Sequence, residues 1–132
     1  MEMYGTADWK TEKHVPVIEV DEVIKEGVKT PVTITVGKEI AHPNKTEHHI
    51  SWIKLMFWPD GEKYPYQVGL ANFDAHGASI KGPDTSGIYS EPYAVFHLIT
   101  AKPGKLIATS YCNIHGFWKS EKEVQCIKHE TD

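Results

Sequence analysis

From Thr30 the run TPVTITVGKEI sets Val32, Ile34 and Val36 at alternate positions with threonines between them, the period-two pattern of a strand with one buried face. The same alternation returns from Ile50 to Trp58, where Ile53, Leu55 and Phe57 oppose Trp52, Met56 and Trp58. It stops at Pro59-Asp60-Gly61, a turn in which proline presets φ and glycine supplies a left-handed position. Tyr64 to Phe73 reads as the return strand. Beyond a loop containing GPDTSG, the segments Tyr93 to Thr100 and Lys105 to Tyr111 flank Lys102-Pro103-Gly104, which predicts a hairpin. Val17 to Val20 and Glu123 to Ile127 predict two edge strands. No stretch sustains a helical period. One short exception, Asn44-Lys45-Thr46-Glu47, carries a capping-box pattern, which predicts one helical turn ahead of the Ile50 strand. About seven short strands with regular turn signals predict an all-β fold, an immunoglobulin-like antiparallel β-sandwich.

Composition narrows the setting. The chain has 132 residues, 40% of them hydrophobic, enough for one core, so residues 1–132 are expected to form a single domain. A formal net charge of -4 with Lys and Glu interspersed gives no basic face for nucleic acid, and no run approaches the ~20 apolar residues of a membrane span. The opening MEMYGTADWKTEKH lacks the apolar core of a secretory signal, so a cytoplasmic, reducing location is expected. That setting argues against a disulfide between Cys112 and Cys126, and against glycosylation at Asn44-Lys45-Thr46.

Eight histidines are the compositional oddity, and their positions change the picture. His14 precedes Val15-Pro16, His42 precedes Pro43, His48 and His49 end the predicted turn, and YCNIHGFW puts His115 three residues after Cys112. Most stand in loops or at strand mouths. Imidazole and thiolate together suit zinc, iron, copper or nickel. Structural zinc normally takes four ligands with two or more cysteines, and here one cysteine accompanies several histidines. Blue copper also lives on a β-sandwich, with two histidines, a cysteine and an axial methionine. The methionines, at 1, 3 and 56, lie far from the cysteine loop, which continues Gly116-Phe117-Trp118. A zinc-stabilised binding module and a cupredoxin-like electron carrier therefore stand as alternatives. Cys126 reads as a small buried hydrophobe, and His76, His97 and His129 as structural or solvated residues.

Taken together, EKHVPVIE, HPNKTEHHI and SYCNIHGFW resemble the superoxide reductases, the neelaredoxin and desulfoferrodoxin family of non-haem iron proteins. The resemblance runs from about Asp8 to Trp118, with the motifs in the family's order. It implies an immunoglobulin-like sandwich with one iron per chain, held by equatorial His14, His42, His48 and His115 and axial Cys112. His49 is left as a packing residue. No cysteine precedes Cys112, so the chain resembles the one-iron, neelaredoxin-like members, which lack the cysteine-rich N-terminal module. The resemblance further implies one-electron reduction of superoxide to hydrogen peroxide, re-reduction by rubredoxin or a similar carrier, and a homotetramer. Glu12 is implied as a ligand in the ferric state only. One thiolate leaves ferrous iron at plus one and ferric iron at plus two, so a carboxylate that closes on oxidation restores the charge. Lys13 is assigned to the local field that attracts the anion. The backbone amides of Asn113 to His115 are the expected donors to the sulfur, Pro43 and Gly116 are expected to shape the ligand loops, and Tyr111, Phe117 and Trp118 are expected to pack around them.

Overall fold

The computed structural model describes residues 2–129. Eight strands run in the order β1 (Pro16–Glu19), β2 (Val23–Lys25), β3 (Thr30–Val36), β4 (Ile50–Pro59), β5 (Tyr66–Asn72), β6 (Tyr93–Leu98), β7 (Gly104–Cys112) and β8 (Gly116–Ile127). They form an all-β sandwich, as the alternation predicts. One sheet has the order β1-β3-β6 and the other β2-β8-β7-β4-β5. No helix among the described residues is long and apolar enough to cross a membrane.

The buried faces meet between the sheets. Val32 and Ile34 are fully buried on β3, Ile53 and Leu55 on β4, and Leu106 and Ala108 on β7. These are the alternate positions of their strands, so the period-two pattern sends each set to one side. Leu106, 0% exposed, lies on β7 between β8 and β4.

Three sequence expectations are corrected. Tyr93 to Thr100 and Lys105 to Tyr111 do not form a hairpin: β6 pairs with β3, whereas β7 pairs with β4 and β8. Lys102-Pro103-Gly104 instead carries the chain from one sheet to the other, a link that turn chemistry does not distinguish from a hairpin loop. Glu123 to Ile127 is not an edge strand but the end of a twelve-residue β8, flanked by β7 and by the short β2. β2 runs parallel to β8, whereas the other pairings between these strands are antiparallel. The predicted helical turn is absent. Residues 45–48 form a bend closed by Lys45 and His48, and the Asn44 side chain caps nothing, donating instead to Ser90 O at 2.9 Å.

The pairing collects several chain segments at one end. β1 starts where β3 ends, Pro16 opposite Val36, and β4 starts where β7 ends, Ile50 opposite Cys112. A register shift between Ile50 and Trp52 marks a bulge at that same end, where bulges commonly re-aim side chains. Gly37 (φ 85°) ends β3, and a Cβ there would lie 2.6 Å from the backbone N of His42. Its missing side chain makes room for the loop that carries His42.

The packing yields a direct expectation. Leu106→Ala should lower unfolding stability by about 2–5 kcal/mol, measured by denaturant unfolding of the metal-free protein. A loss well under 1 kcal/mol would mean that β7 is not the centre of the core.

Candidate metal centre

Five sequence-predicted residues converge at this end. His14 lies two residues before β1, His42 and His48 on the β3–β4 connection, Cys112 at the last position of β7, and His115 in the turn into β8. The donor atoms of His14, His42, His48 and Cys112 all lie within 4.8 Å of one another. His115 falls outside that tight group, but its Nδ1 is 3.1 Å from His14 Nε2 and 3.8 Å from Cys112 Sγ. The imidazoles close a four-sided ring. Centroids are 4.8 Å apart for His14–His42, 4.9 Å for His42–His48, 5.0 Å for His48–His115 and 4.7 Å for His115–His14. Cys112 is fully buried against it.

Local bonds aim the nitrogens. His14 Nδ1–H donates to Glu12 Oε1 at 2.6 Å, and His42 Nδ1–H donates to the Pro43 carbonyl at 2.7 Å. Each bond fixes the proton on Nδ1 and leaves the Nε2 lone pair for the cluster. Burial lowers the pKa of His14 despite the opposing bond from Glu12, and pushes His42 down to about 4. His48 is lowered by burial, then by the charges of His115, His14 and Lys13. These three rings are therefore neutral near pH 7 and able to ligate.

The fit to a metal rests on an accounting failure. His42 Nε2 and His48 Nε2 are buried with no hydrogen-bond partner, which costs about 1–3 kcal/mol each unless something else satisfies them. Convergent imidazoles with a thiolate are the donors a transition metal requires. Copper's axial methionine has no candidate among the described residues: Met3 is exposed, and Met56 lies mid-strand opposite Ile107 and Gln67.

Glu12 is turned onto His14, accepting from both its ring and its backbone N–H at 3.0 Å. Burial raises its pKa, but the two bonds from His14 outweigh that and hold the carboxyl below its usual value. Lys13 contributes positive charge at His14, His42 and His48. Of the amides expected at the sulfur, His115 N donates to Sγ at 3.4 Å, whereas Asn113 N goes to His49 O. Gly116 has φ 81°, the left-handed turn that reverses the chain after His115.

The aromatic expectation divides. Trp118 stacks on His14 at 4.9 Å and 15°, covering the ring. Phe117 and Tyr111 instead face the other way, in a cluster with Trp52 and Tyr4. Neighbours on a strand point to opposite faces, so residues 117 and 118 cannot both line the centre. His49 packs flat on His76, with centroids 3.4 Å apart, and His97 is exposed on β6. Both cysteines are free, and Cys126 is only partly buried.

A two-sheet sandwich that gathers four imidazoles and a cysteine sulfur at one end defines a small metal-binding β-protein. Residues 6–121 match the desulfoferrodoxin family model, and the chain belongs to that family. It is 57% identical over 120 residues to the superoxide reductase of Pyrococcus furiosus, covering 91% of this chain and 94% of that one. It is 52% identical to the neelaredoxin of Megalodesulfovibrio gigas, covering 93% and 95%. The solved structure of superoxide reductase (neelaredoxin) from Archaeoglobus fulgidus in the reduced form aligns with a TM-score of 0.88 at 59% identity, over 94% of this chain and 99% of that chain.

Replacing the buried sulfur tests the donor set without relying on turnover. Cys112→Ser should lose the thiolate-to-metal absorption of the cobalt(II)-loaded protein, and the melting of the metal-free protein should change little. A retained band would remove Cys112 from the ligands.

Proposed function

We propose that the chain is a superoxide reductase whose single iron is held by His14, His42, His48 and His115 with Cys112 as axial ligand. The observation that carries this reading is the closed ring of four imidazoles beside a buried sulfur, with two ring nitrogens left unpartnered. Iron bound there supplies a one-electron couple; one electron and two protons convert superoxide to hydrogen peroxide.

The protein's own groups prepare the reaction. Glu12 holds the proton on His14 Nδ1 and so keeps Nε2 free. It is also the carboxylate that would hold the ferric ion, for which it would have to leave His14. Cys112, bound as a thiolate, would donate electron density to the metal from the buried side, and the His115 N–H would temper that donation through its bond to sulfur. Trp118 shields His14 from water. His14 and His42 are buried, His48 is half-buried and His115 is exposed, so solvent, superoxide and protons reach the ring from the side of the last two. Lys13 raises the local concentration of the anion although the chain as a whole is negative. Rubredoxin or a similar small carrier returns the electron, and the working assembly is a homotetramer in the cytoplasm.

Anaerobically purified, iron-supplied protein should contain about one iron per chain on elemental analysis. Rapid mixing with superoxide should then yield peroxide in proportion to donor oxidised, with little dioxygen. Zinc or copper persisting despite iron supply, or dioxygen released in step with peroxide, would overturn the assignment.

The electrostatic role is tested separately. Lys13→Ala should slow the bimolecular step by roughly two- to fivefold at low ionic strength and flatten its salt dependence. An unchanged rate would make Lys13 an ordinary solvated side chain.

A further inference from the structure

His48 differs from the two buried histidines. The Nδ1 atoms of His14 and His42 are held by Glu12 and Pro43, but no ring hydrogen bond to His48 is present among the described residues, and its Nε2 has no partner. Its place in the ring therefore depends on the backbone that carries it.

That backbone is gripped from the cysteine loop by one side chain. Asn113 Nδ2 donates to Glu47 O at 2.9 Å, and Asn113 Oδ1 accepts the His49 N–H at 2.8 Å. The Asn113 backbone N–H donates to His49 O at 3.2 Å. Glu47 and His49 are the two neighbours of His48, and Asn113 stands between Cys112 and His115. The side-chain amide meets the C=O on one side of His48 and the N–H on the other, as a neighbouring strand would. A carboxylate offers only the acceptor, and an aliphatic side chain offers neither. The bend closed between Lys45 and His48 is internal to its own loop and does not tie it to Cys112.

We propose that Asn113 is a positioning residue that registers His48 against Cys112 and His115, so that donors from two separate loops are set before the metal arrives. The proposal rests on the metal-centre assignment above, but it has a consequence in the metal-free protein. Asn44, whose side chain ties the same loop to Ser90 O and spans no pair of ligand loops, is the comparison.

The experiment joins amide hydrogen exchange by NMR on the metal-free protein with cobalt(II) transfer to a chelator. Asn113→Ala should speed exchange of the His49 amide by about tenfold or more, whereas Asn113→Asp, which keeps the acceptor, should leave it near wild type. Outer partners of metal ligands typically contribute 10- to 100-fold in affinity, so Asn113→Ala should release cobalt about tenfold faster and shift the thiolate-to-cobalt absorption. Asn44→Ala should leave that absorption in place. Wild-type exchange and an unshifted spectrum in Asn113→Ala would overturn the proposal, as would an equal spectral shift in Asn44→Ala. If the wild-type protein takes up no cobalt, the metal-centre assignment fails, and His49 exchange still decides whether Asn113 fixes the loop.

Discussion

Neutral imidazoles whose nitrogen lone pairs converge on one point repel weakly and, once buried, forfeit hydrogen bonds to water that they cannot replace among themselves. In this protein the 3.1 Å approach of His14 Nε2 to His115 Nδ1 offers partial relief, because one of the two can carry a proton. His42 Nε2 and His48 Nε2 have no such recourse. A cation satisfies all of them at once. Until it binds, the fold must hold the donors against a local penalty, and the surroundings of the centre answer that requirement.

The β-sandwich meets it by drawing the candidate donors from the ends of both sheets. His14 stands just before β1 and His42 follows β3, in one sheet, whereas His48 precedes β4, Cys112 ends β7 and His115 precedes β8, in the other. A metal bound to all five therefore joins the two layers at their rim, beyond the apolar contacts that join them in the middle. Gly37 permits the close approach of the His42 backbone, and the bulge at the start of β4 lies opposite Cys112. The sheet geometry is adjusted where the ligands leave it.

The strands and the donors were legible in the sequence for different reasons. Alternation at Val32, Ile34 and Val36, and again at Ile53, Leu55 and Phe57, reports burial directly, and those strands appear where it places them. β8 was visible only in its last residues because Gly116 to Lys122 mixes aromatic and charged side chains on a strand only partly covered. The supposed hairpin at Lys102-Pro103-Gly104 failed because a turn signal shows that the chain reverses, not which sheet receives it. In the site, histidine and cysteine declare themselves by chemistry and motif order. Asn113 does not, since its value lies in facing Glu47 and His49, a long-range contact that no local pattern encodes. Glu12 stands between the two cases: its place in EKHVPVIE marks it as a site residue, whereas its bond to the His14 ring two residues on depends on the turn of one side chain.

Burial and restraint vary together around the ring. His14 and His42 are 6% and 8% exposed, and each has its outer nitrogen fixed by a carboxylate or carbonyl. His48 and His115 lie toward solvent, where a ring bond to protein competes with water and provides less restraint. On this side the contacts are to the main chain: Asn113 bonds the residues on either side of His48, and the Gly116 turn follows His115. Main-chain restraint accompanies an exposed His115 ring and a half-buried His48 ring. The open side of the centre and its indirect support thus coincide: the two rings nearest solvent are the two whose ring nitrogens no carboxylate or carbonyl holds, so their position is set by the chain that carries them.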